Sequence, residues 1–350
     1  MKYVLITGSS GLVGSEAVNF FIKKKFKIIT VDNNLRKYFF GKNADTNWQK
    51  KNQIEKFKNE IIHNSVDIRN HKKISNIFSK YKNKIKCIIH AAAQPSHDWA
   101  YKDPTLDFDV NARATLHLLE CTKKFCSKAT FIYVSTNKVY GDTPNKLKIK
   151  EKKTRFEIVD KKYKKGINEN LSIDKSTHSL FGVSKCSADL LVQEYGRNLK
   201  LKTGVFRAGC ITGPKHSGAE LHGFLSYLVK CNLNKLKYNI FGYKGKQVRD
   251  NIHSYDLVNA FWHFHLKPKK GEVYNIGGSS MNSCSILEAI NLIETMTNQK
   301  MIYSFKQKNS VGDHICYISD ISKLRKHYPN WKIEYSLKEI IRQIISEMKN

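Results

Sequence analysis

The chain has 350 residues, 41% hydrophobic and 26% charged, a balance typical of a globular protein that is too long for one minimal core. Its net charge is +31, but only nine of the 61 basic residues are arginine, the usual reader of bases. The lysine excess therefore indicates a compositional bias, with at most a weak, salt-sensitive affinity for polyanions and no specific nucleic-acid partner. No leader pattern and no run of 18 apolar residues is present, which predicts a cytoplasmic protein without a membrane span.

The eight cysteines contain no C-x-x-C pair, and several fall within apolar strand or helix patterns. This usage predicts reduced, mostly buried thiols rather than disulfides or a zinc site. The two histidines of "WHFH" (262–265) lie two positions apart on a predicted helix and point to different faces, so no metal site is expected there.

Apolar and helical patterns alternate along the first 209 residues. They predict strands at 2–8, 27–32, 59–68, 86–93, 129–135 and 202–209, with helices at 12–24, 105–125 and 180–198. This alternation indicates a Rossmann-type, doubly wound α/β fold with a parallel sheet. Mixed short strands and helices then predict a smaller α/β region, dividing the chain into 1–205 and 206–350, with some segments interleaved.

Two long segments interrupt this alternation, at 33–58 and at 142–178. Ordered insertions in such sheets commonly carry binding or oligomer contacts. The aromatic cluster Tyr38, Phe39 and Phe40 in the first segment fits either such a contact or local packing.

A glycine pattern, "TGSSGLVG", joins the first strand to the first helix at Gly8, Gly11 and Gly14. Glycine allows the tight turn and the close approach of backbone to a pyrophosphate at a helix N-terminus. Asp32 ends the second strand, where a carboxylate can bind ribose hydroxyls and repel a 2′-phosphate. The pattern predicts a dinucleotide site that favours NAD over NADP, although Arg36 lies close by in the sequence.

The stretches "VSTNKVYGD" (134–142) and "FGVSK" (181–185) complete a set of motifs that resembles the extended short-chain dehydrogenase/reductase family, whose members mostly rework nucleotide-activated sugars. The other motifs of the set are "AAAQPSHDW" (91–99), "DVNARATLHLLE" (109–120), "GKQVRDNIHSYD" (245–256), "YNIGG" (274–278) and "GDHICYISDISKL" (312–324). Within that family, the sequence looks closest to the CDP-paratose 2-epimerase, or CDP-tyvelose epimerase, group.

The resemblance implies that a tyrosine assisted by Lys185 exchanges a proton with the substrate, while the hydroxyl of Thr136 holds the reacting oxygen. The tyrosine belongs at position 181, where this chain has Phe181. Another side chain could replace it, with His178, His97 and Tyr140 as candidates in that order. Alternatively, the proton is lost directly beside Lys185 and the charge of NAD, or the protein is catalytically impaired and only binds.

One subclass is disfavoured by the sequence. Related sugar 4,6-dehydratases carry an Asp-Glu pair after the threonine, whereas Asn137 and Lys138 follow Thr136 here. An amide and a cation cannot supply the acid and the base of an elimination.

The resemblance also implies the ligand contacts. The expected NAD contacts are Gly8, Gly11, Leu12, Val13, Gly14, Asp32, Asn33, Asn34, Asp67, Ile68, Ala91, Ala92, Ala93, Asn111, Ser135, Lys185 and Ala208. The expected substrate contacts are Pro95, His97, Thr136, Asn137, Cys210, His216, Arg249 and Asp313. For Asp67 a simple strand end, and for Arg249 an ion pair with Asp250 or Asp256, are the structural alternatives.

These expectations describe an NAD-retaining nucleotide-sugar epimerase with a CDP-linked substrate. Residues 1–205 would bind NAD and residues 206–350 the nucleotide sugar. The helices at 105–125 and 180–198 have the family positions of a dimer-forming pair, which predicts a homo-oligomer. A 4-epimerase or oxidoreductase of the same fold, and a protein that only binds NAD, remain the alternatives.

Overall fold

The computed structural model describes residues 1–216, 223–307 and 312–349. Within these residues the chain forms fifteen strands. They are β1 (Tyr3–Thr7), β2 (Lys27–Val31), β3 (Ile61–Asn64), β4 (Ile85–His90), β5 (Thr130–Thr136), β6 (Ile149–Glu151), β7 (Phe156–Ile158), β8 (Lys202–Ala208), β9 (Cys210–Thr212), β10 (Tyr238–Phe241), β11 (Val248–His253), β12 (Glu272–Ile276), β13 (Ser283–Ser285), β14 (Tyr303–Lys306) and β15 (Cys316–Tyr317).

The same described residues form thirteen α-helices. They are α1 (Leu12–Lys23), α2 (Leu35–Phe40), α3 (Asn47–Lys56), α4 (His71–Tyr81), α5 (His97–Lys102), α6 (Pro104–Phe108), α7 (Ala114–Cys126), α8 (Leu180–Arg197), α9 (Phe224–Leu233), α10 (Ser254–Leu266), α11 (Ile286–Thr297), α12 (Ser322–His327) and α13 (Leu337–Lys349). A π-helical turn, Asp109–Arg113, connects α6 to α7.

The chain divides into two compact units. The first unit comprises Met1–Val139, Leu180–Arg207 and Val258–Tyr274, and the second comprises Tyr140–Ser179, Ala208–Leu257 and Asn275–Asn350. The division into an NAD-binding region 1–205 and a sugar-binding region 206–350 stays a prediction.

A seven-stranded sheet in the order β12-β8-β5-β4-β1-β2-β3 forms the centre of the first unit. The pairs β3–β2, β2–β1, β1–β4 and β4–β5 are parallel. Strands such as "YVLIT" are apolar along their whole length because helices cover both faces of a parallel sheet. This arrangement confirms the predicted Rossmann-type α/β fold.

The second unit contains smaller sheets. β11 pairs with β13, β15 and β9, while β10 pairs with β14 and β6 with β7. Its apolar core is formed by α9, α11 and α13, whose buried faces contain residues such as Leu228, Ile293 and Ile344.

The predicted strands agree with β1, β2, β3, β4, β5 and β8 to within a few residues at each end. The predicted helix 105–125 is instead α6, a π-helical turn and α7. The interruption 33–58 contains α2 and α3, which escaped notice because α3 buries two polar side chains, Gln49 and Gln53, rather than an apolar stripe. The interruption 142–178 contains β6 and β7.

All eight cysteines lie within the described residues, where they are free thiols, six of them buried, as the sequence predicts. Among the described residues, no helix is long and apolar enough to cross a membrane.

Candidate functional site

The turn between β1 and α1 has no room for a Cβ at Gly8 or Gly14. Gly8 has a φ of +67°, and its N–H donates to the carbonyl of Val31 at 2.9 Å. A Cβ on Gly14 would lie 2.1 Å from the carbonyl oxygen of Gly8, and a Cβ on Gly8 would lie 2.7 Å from the nitrogen of Ala92. The turn therefore packs without side chains and leaves the start of α1, at Leu12 and Val13, open to a diphosphate.

Asp32 connects this turn to the end of β2. Its carboxylate accepts the N–H of Ser10 at 2.8 Å and that of Asn34 at 2.7 Å. Beside it lies a cavity of about 540 Å³ lined by Asp32, Asn33, Asn34, Leu35, Lys37, Tyr38, Asn47, Lys50 and Ser65. A cavity lined by polar groups, with a carboxylate at one side, suits the hydroxyls of a ribose.

Asn33, which lines this cavity, also contacts the end of the next strand. Asn33 donates to the carboxylate of Asp67 at 3.0 Å, and Asp67 also pairs with Arg69 at 2.7 Å, while Ile68 is buried. The guanidinium of Arg36 lies 5.0 Å from the ring centroid of Phe40, and desolvation lowers its pKa to about 10. Asp67 thus has a local partner in Arg69, which fits the strand-end alternative, and it also contacts Asn33 beside the cavity.

The segments that follow β2 and β4 contact each other. The indole N–H of Trp99, on α5, donates to the carbonyl of Phe39, on α2, at 2.6 Å. The ring of Trp99 lies 4.9 Å from that of Tyr38 and 5.5 Å from that of Phe39. Because β1 lies between β2 and β4, this contact spans the carboxyl end of β1, where the glycine turn begins. The aromatic cluster therefore has a packing role.

Thr136 is the last residue of β5, and Lys185 lies near the start of α8. The ammonium of Lys185 donates to the carbonyl of Val134 at 2.8 Å and lies 4.4 Å from the ring centroid of Tyr133. Lys185 is only 4% exposed, and desolvation lowers its pKa to about 7, against the opposing charges of Asp189 and Asp107. The hydroxyl oxygen of Thr136 accepts the N–H of Lys138 at 3.2 Å.

Ser135 points to a buried charge cluster below this site. Its hydroxyl donates to Asp189 at 2.7 Å, and Arg207 forms an ion pair with the same carboxylate at 3.0 Å. Gln193 adds a further hydrogen bond at 2.6 Å. The sequence reasoning missed Asp189, although its place one helical turn after Lys185 is a signal that could have found it.

Phe181 lies one turn before Lys185 on α8 and is 7% exposed. The imidazole of His97 contacts it edge to face, with ring centroids 4.9 Å apart and an interplanar angle of 62°. Pro95 and the residues Ala91–Ala93 lie in the segment between β4 and α5, which leads to His97. The structure thus places His97, one of the candidates to replace the missing tyrosine, in contact with Phe181.

A buried polar network fixes the loop before α5. The amide of Asn111 accepts the N–H of Gln94 and donates to Ser184 of α8, both at 3.0 Å. The side chain of Gln94 donates to Asp107 at 2.6 Å, and Asp107 also accepts from Asn111 at 3.0 Å. Desolvation raises the pKa of Asp107. Asn111 therefore braces the loop against α8, and its predicted contact with NAD stays a prediction.

The predicted residues of the second unit form separate contacts. Arg249 forms an ion pair with Asp313, and it donates to the carbonyl of Val248 at 2.7 Å. Among the described residues its ion-pair partner is therefore Asp313, while Asp250 accepts the N–H of Ser319 and Asp256 that of Glu334, both at 3.0 Å. The sequence had assigned both Arg249 and Asp313 to the nucleotide sugar, and the structure brings them together.

The remaining predicted residues of this unit have these surroundings. The Nε2 of His178 lies 2.9 Å from the carbonyl oxygen of Ile173. The hydroxyl of Tyr140 donates to the side-chain oxygen of Asn275 at 2.7 Å. His216 packs on Gly223, where a Cβ would lie 2.4 Å from the imidazole. Cys210, on β9, pairs with Asn251 of β11, and Ala208 ends β8. Asn137, of the first unit, is buried. The motif "GPKHSGAELHGF" (213–224) lies partly outside the described residues.

Comparisons with known proteins agree with this geometry. A family model described as the NAD dependent epimerase/dehydratase family matches residues 4–277. The CDP-paratose 2-epimerase of Salmonella typhi is 31% identical over 97% of this chain and 97% of its own length. The UDP-glucuronate 4-epimerase of Thermodesulfobacterium geofontis is 26% identical over 100% of this chain and 97% of its own.

Among solved structures, a tyrosine-to-phenylalanine mutant of the UDP-glucuronic acid 4-epimerase from Bacillus cereus, in complex with UDP-4-deoxy-4-fluoro-glucuronic acid and NAD, superposes with a TM-score of 0.80. It is 23% identical and covers 99% of both chains, a likeness that shows the fold. The chain belongs to the NAD dependent epimerase/dehydratase family, an enzyme family whose cofactor is NAD.

Proposed function

We propose that the protein is an NAD-retaining nucleotide-sugar epimerase that inverts C2 of a CDP-linked 3,6-dideoxyhexose. The similarity to CDP-paratose 2-epimerase carries this proposal, because 31% identity extends over 97% of both chains and therefore includes both units. The relatives also include 4-epimerases and dehydratases, so the sugar and the carbon are the part that experiment must decide.

The residues after β5 favour epimerisation over dehydration. Elimination of water needs an acid and a base beside the sugar, and Asn137 and Lys138 offer neither a carboxylic acid nor a carboxylate. Epimerisation through a ketone needs only the removal and return of one hydride at a carbon and of one proton at the hydroxyl of that carbon.

Within this proposal, NAD held at the glycine turn would supply the hydride acceptor and donor for the change at C2. Thr136 would hold the reacting oxygen through its hydroxyl. The positive charge of Lys185, buried between Val134 and the ring of Tyr133, would favour the deprotonated oxygen in the transition state. Arg249 would bind the diphosphate, since guanidinium matches that anion in a bidentate manner.

Retention of NAD is supported by the contact between α2 and α5. A dinucleotide bound at the glycine turn would lie at the carboxyl end of β1, between the two segments that the 2.6 Å hydrogen bond from Trp99 to Phe39 joins. Release of the cofactor would then require this contact to open, which fits a cycle in which NAD is never exchanged.

We also propose that two copies of the chain associate through α6, α7 and α8, in the cytoplasm. These helices pack on one another in the first unit and expose Phe108, Leu116, Leu180, Val183 and Leu190 to between 38% and 48%. Adjacent exposed apolar side chains indicate an interaction surface. Light scattering should give twice the chain mass, and Leu190→Asp should shift it toward one chain mass.

The test combines cofactor analysis with an assay. Purified protein is denatured, and the released nucleotide is identified by chromatography and mass. Separate samples receive CDP-paratose, UDP-glucose or UDP-glucuronic acid and are followed by proton NMR. About one NAD per chain and conversion of CDP-paratose alone is the expected result.

Two other results would redirect the assignment. Conversion of a UDP-sugar at C4 would favour the 4-epimerase alternative. Bound NAD without conversion of any of the three sugars would favour a protein that binds without catalysis, for which Phe181 is the specific observation.

A further inference from the structure

We propose that His97 is the proton carrier of this enzyme and that its imidazole takes the place of the hydroxyl that a tyrosine at position 181 would supply. This inference rests on the proposed epimerase function and adds a catalytic residue to it. It starts from the contact between the rings of His97 and Phe181, whose centroids are 4.9 Å apart.

The contact places an ionisable group beside the position of the missing one. Phenylalanine has no proton to exchange, but its ring fills the same volume on α8, one turn before Lys185. The interplanar angle of 62° brings the edge of one ring toward the face of the other, a favourable aromatic geometry. Histidine changes charge nearest to neutral pH of all ordinary side chains, which suits a group that must both accept and return a proton.

The position of His97 is fixed by the same hydrogen bonds that hold α8. His97 begins α5, which is capped by Ser96, whose hydroxyl accepts the N–H of Trp99 at 3.3 Å. The backbone N–H of Ser96 donates to the side chain of Gln94, and the N–H of Gln94 donates to Asn111 at 3.0 Å.

Asn111 closes the connection by donating to Ser184 at 3.0 Å, the residue just before Lys185. His97, Phe181 and Lys185 therefore belong to one buried frame in the first unit. A proton carrier must keep its distance to the reacting oxygen within a few tenths of an ångström, and a frame of this kind provides that. The opposite side of α5 is held by the indole of Trp99 on Phe39.

The proton and the hydride that leave the substrate both return to it within one catalytic cycle. In the first half-reaction, the C2 hydroxyl gives its proton to the neutral imidazole, the hydride leaves C2 for bound NAD, and the O–H electron pair becomes the second bond of the ketone. In the second half-reaction, the hydride returns to the other face and the imidazolium returns its proton to the oxygen. His97 and the cofactor end as they began, and no outside oxidant is consumed.

Lys185 is the competing proton carrier, because its buried ammonium lies on α8, the helix that also contains Phe181. Its Nζ already donates to the carbonyl of Val134 at 2.8 Å and lies against the ring of Tyr133. These contacts turn the amine of Lys185 toward Val134 and Tyr133, whereas His97 contacts the ring at the position that tyrosine would occupy. The experiment below separates the two.

The experiment compares His97→Asn, Phe181→Tyr and the double variant, in the full-length protein with its bound NAD. We expect His97→Asn to lower kcat by about 10²- to 10⁴-fold, with KM within about threefold of wild type, because the lost step is proton transfer rather than binding. Phe181→Tyr in the His97→Asn background should restore at least about tenfold, since tyrosine supplies the hydroxyl again. His71→Asn, on α4, is the matched control and should keep the wild-type kcat.

Two further readouts separate catalysis from structure. The NAD content of each variant, measured after denaturation, should equal that of wild type. The acid limb of the kcat–pH profile should disappear in His97→Asn. If His97→Asn folds poorly, His97→Gln provides the same test with a longer side chain.

The possible failures are distinguishable. A wild-type protein that converts no nucleotide sugar overturns the proposed function and this inference with it. Active wild-type protein with an unchanged rate in His97→Asn overturns only the role of His97. An acid limb that persists in His97→Asn, or a loss of rate that accompanies loss of NAD and is not restored by Phe181→Tyr, also overturns it.

Discussion

The glycine turn and the start of α8 lie in the same unit, but they are built in different ways. The turn is a backbone site, where Gly8 and Gly14 are required because any Cβ would overlap the chain. The start of α8 is a side-chain site, where Phe181 replaces the expected tyrosine while Lys185 and the helix remain. Where the backbone forms the site, the residue type is fixed at each position. Where a side chain forms the site, its function can be taken over by another residue that lies close only in the folded chain.

The largest effect is expected at the charge cluster below α8. Arg207→Leu would leave Asp189, which is fully buried, without its cation. Removing one partner of a buried ion pair typically costs about 3–5 kcal/mol of unfolding free energy. Urea unfolding measures the change, and the double variant Asp189→Leu with Arg207→Leu should recover most of it. If the double variant is as unstable as Arg207→Leu, the ion pair stabilises the protein by more than the neutralisation of two buried charges.

Gly14→Ala tests the backbone site. The new Cβ would lie 2.1 Å from the carbonyl oxygen of Gly8, so the turn must move and NAD affinity should fall by about 100-fold or more. Gly11→Ala, at another expected NAD contact, is the comparison within the turn, because its Cβ would lie 3.4 Å from the same oxygen and its φ of −75° suits alanine. Isothermal titration of NAD into NAD-free protein compares them. Equal losses in both variants would break the distinction between the two glycines.

Trp99→Ala tests the bridge between α2 and α5. Loss of the indole removes both ring contacts and the hydrogen bond to Phe39, so bound NAD should dissociate about tenfold faster. Trp99→Phe, which keeps a ring but no N–H, should give an intermediate rate. Dissociation is followed by exchange with labelled NAD, and Phe305→Ala, an exposed aromatic of the second unit, is the control. An unchanged rate in Trp99→Ala would contradict the bridge.

The last test concerns the pH dependence of stability at Lys185. Its pKa is about 7 in the folded protein, below the usual value near 10.4, so the unfolded chain binds more protons between these two pH values. Stability should therefore rise as pH rises from about 7 toward 10 and level off below pH 7. Urea unfolding at pH 7 and pH 9.5 should show this gain in wild type and a smaller gain in Lys185→Met. Equal gains would mean that Lys185 does not titrate in this range.

The sequence predicted the features that depend on neighbouring residues. The six strands and the glycine turn follow from local apolar runs and from glycine spacing, and the structure agrees with them. It did not predict α3, whose buried side chains are polar, or the π-helical turn at Asn111, which interrupts a regular helical pattern.

The network around Asn111 could not be predicted because it joins residues far apart in the chain. Asn111 and Ser184 are 73 positions apart, and Arg249 and Asp313 are 64 positions apart. The contact between His97 and Phe181 is of the same kind. Such pairs leave no periodicity in the sequence, since each partner is chosen by the packing of two separate elements.

Epimerisation at C2 with retained NAD is tested most directly with CDP-paratose that carries deuterium at C2. The labelled sugar is incubated with the protein in ordinary water, and the product is examined by NMR and mass. The account predicts the C2 epimer with its deuterium retained and about one NAD still bound per chain, because the hydride leaves and returns within one site. Deuterium lost to water, a C4 epimer, or no conversion would contradict it.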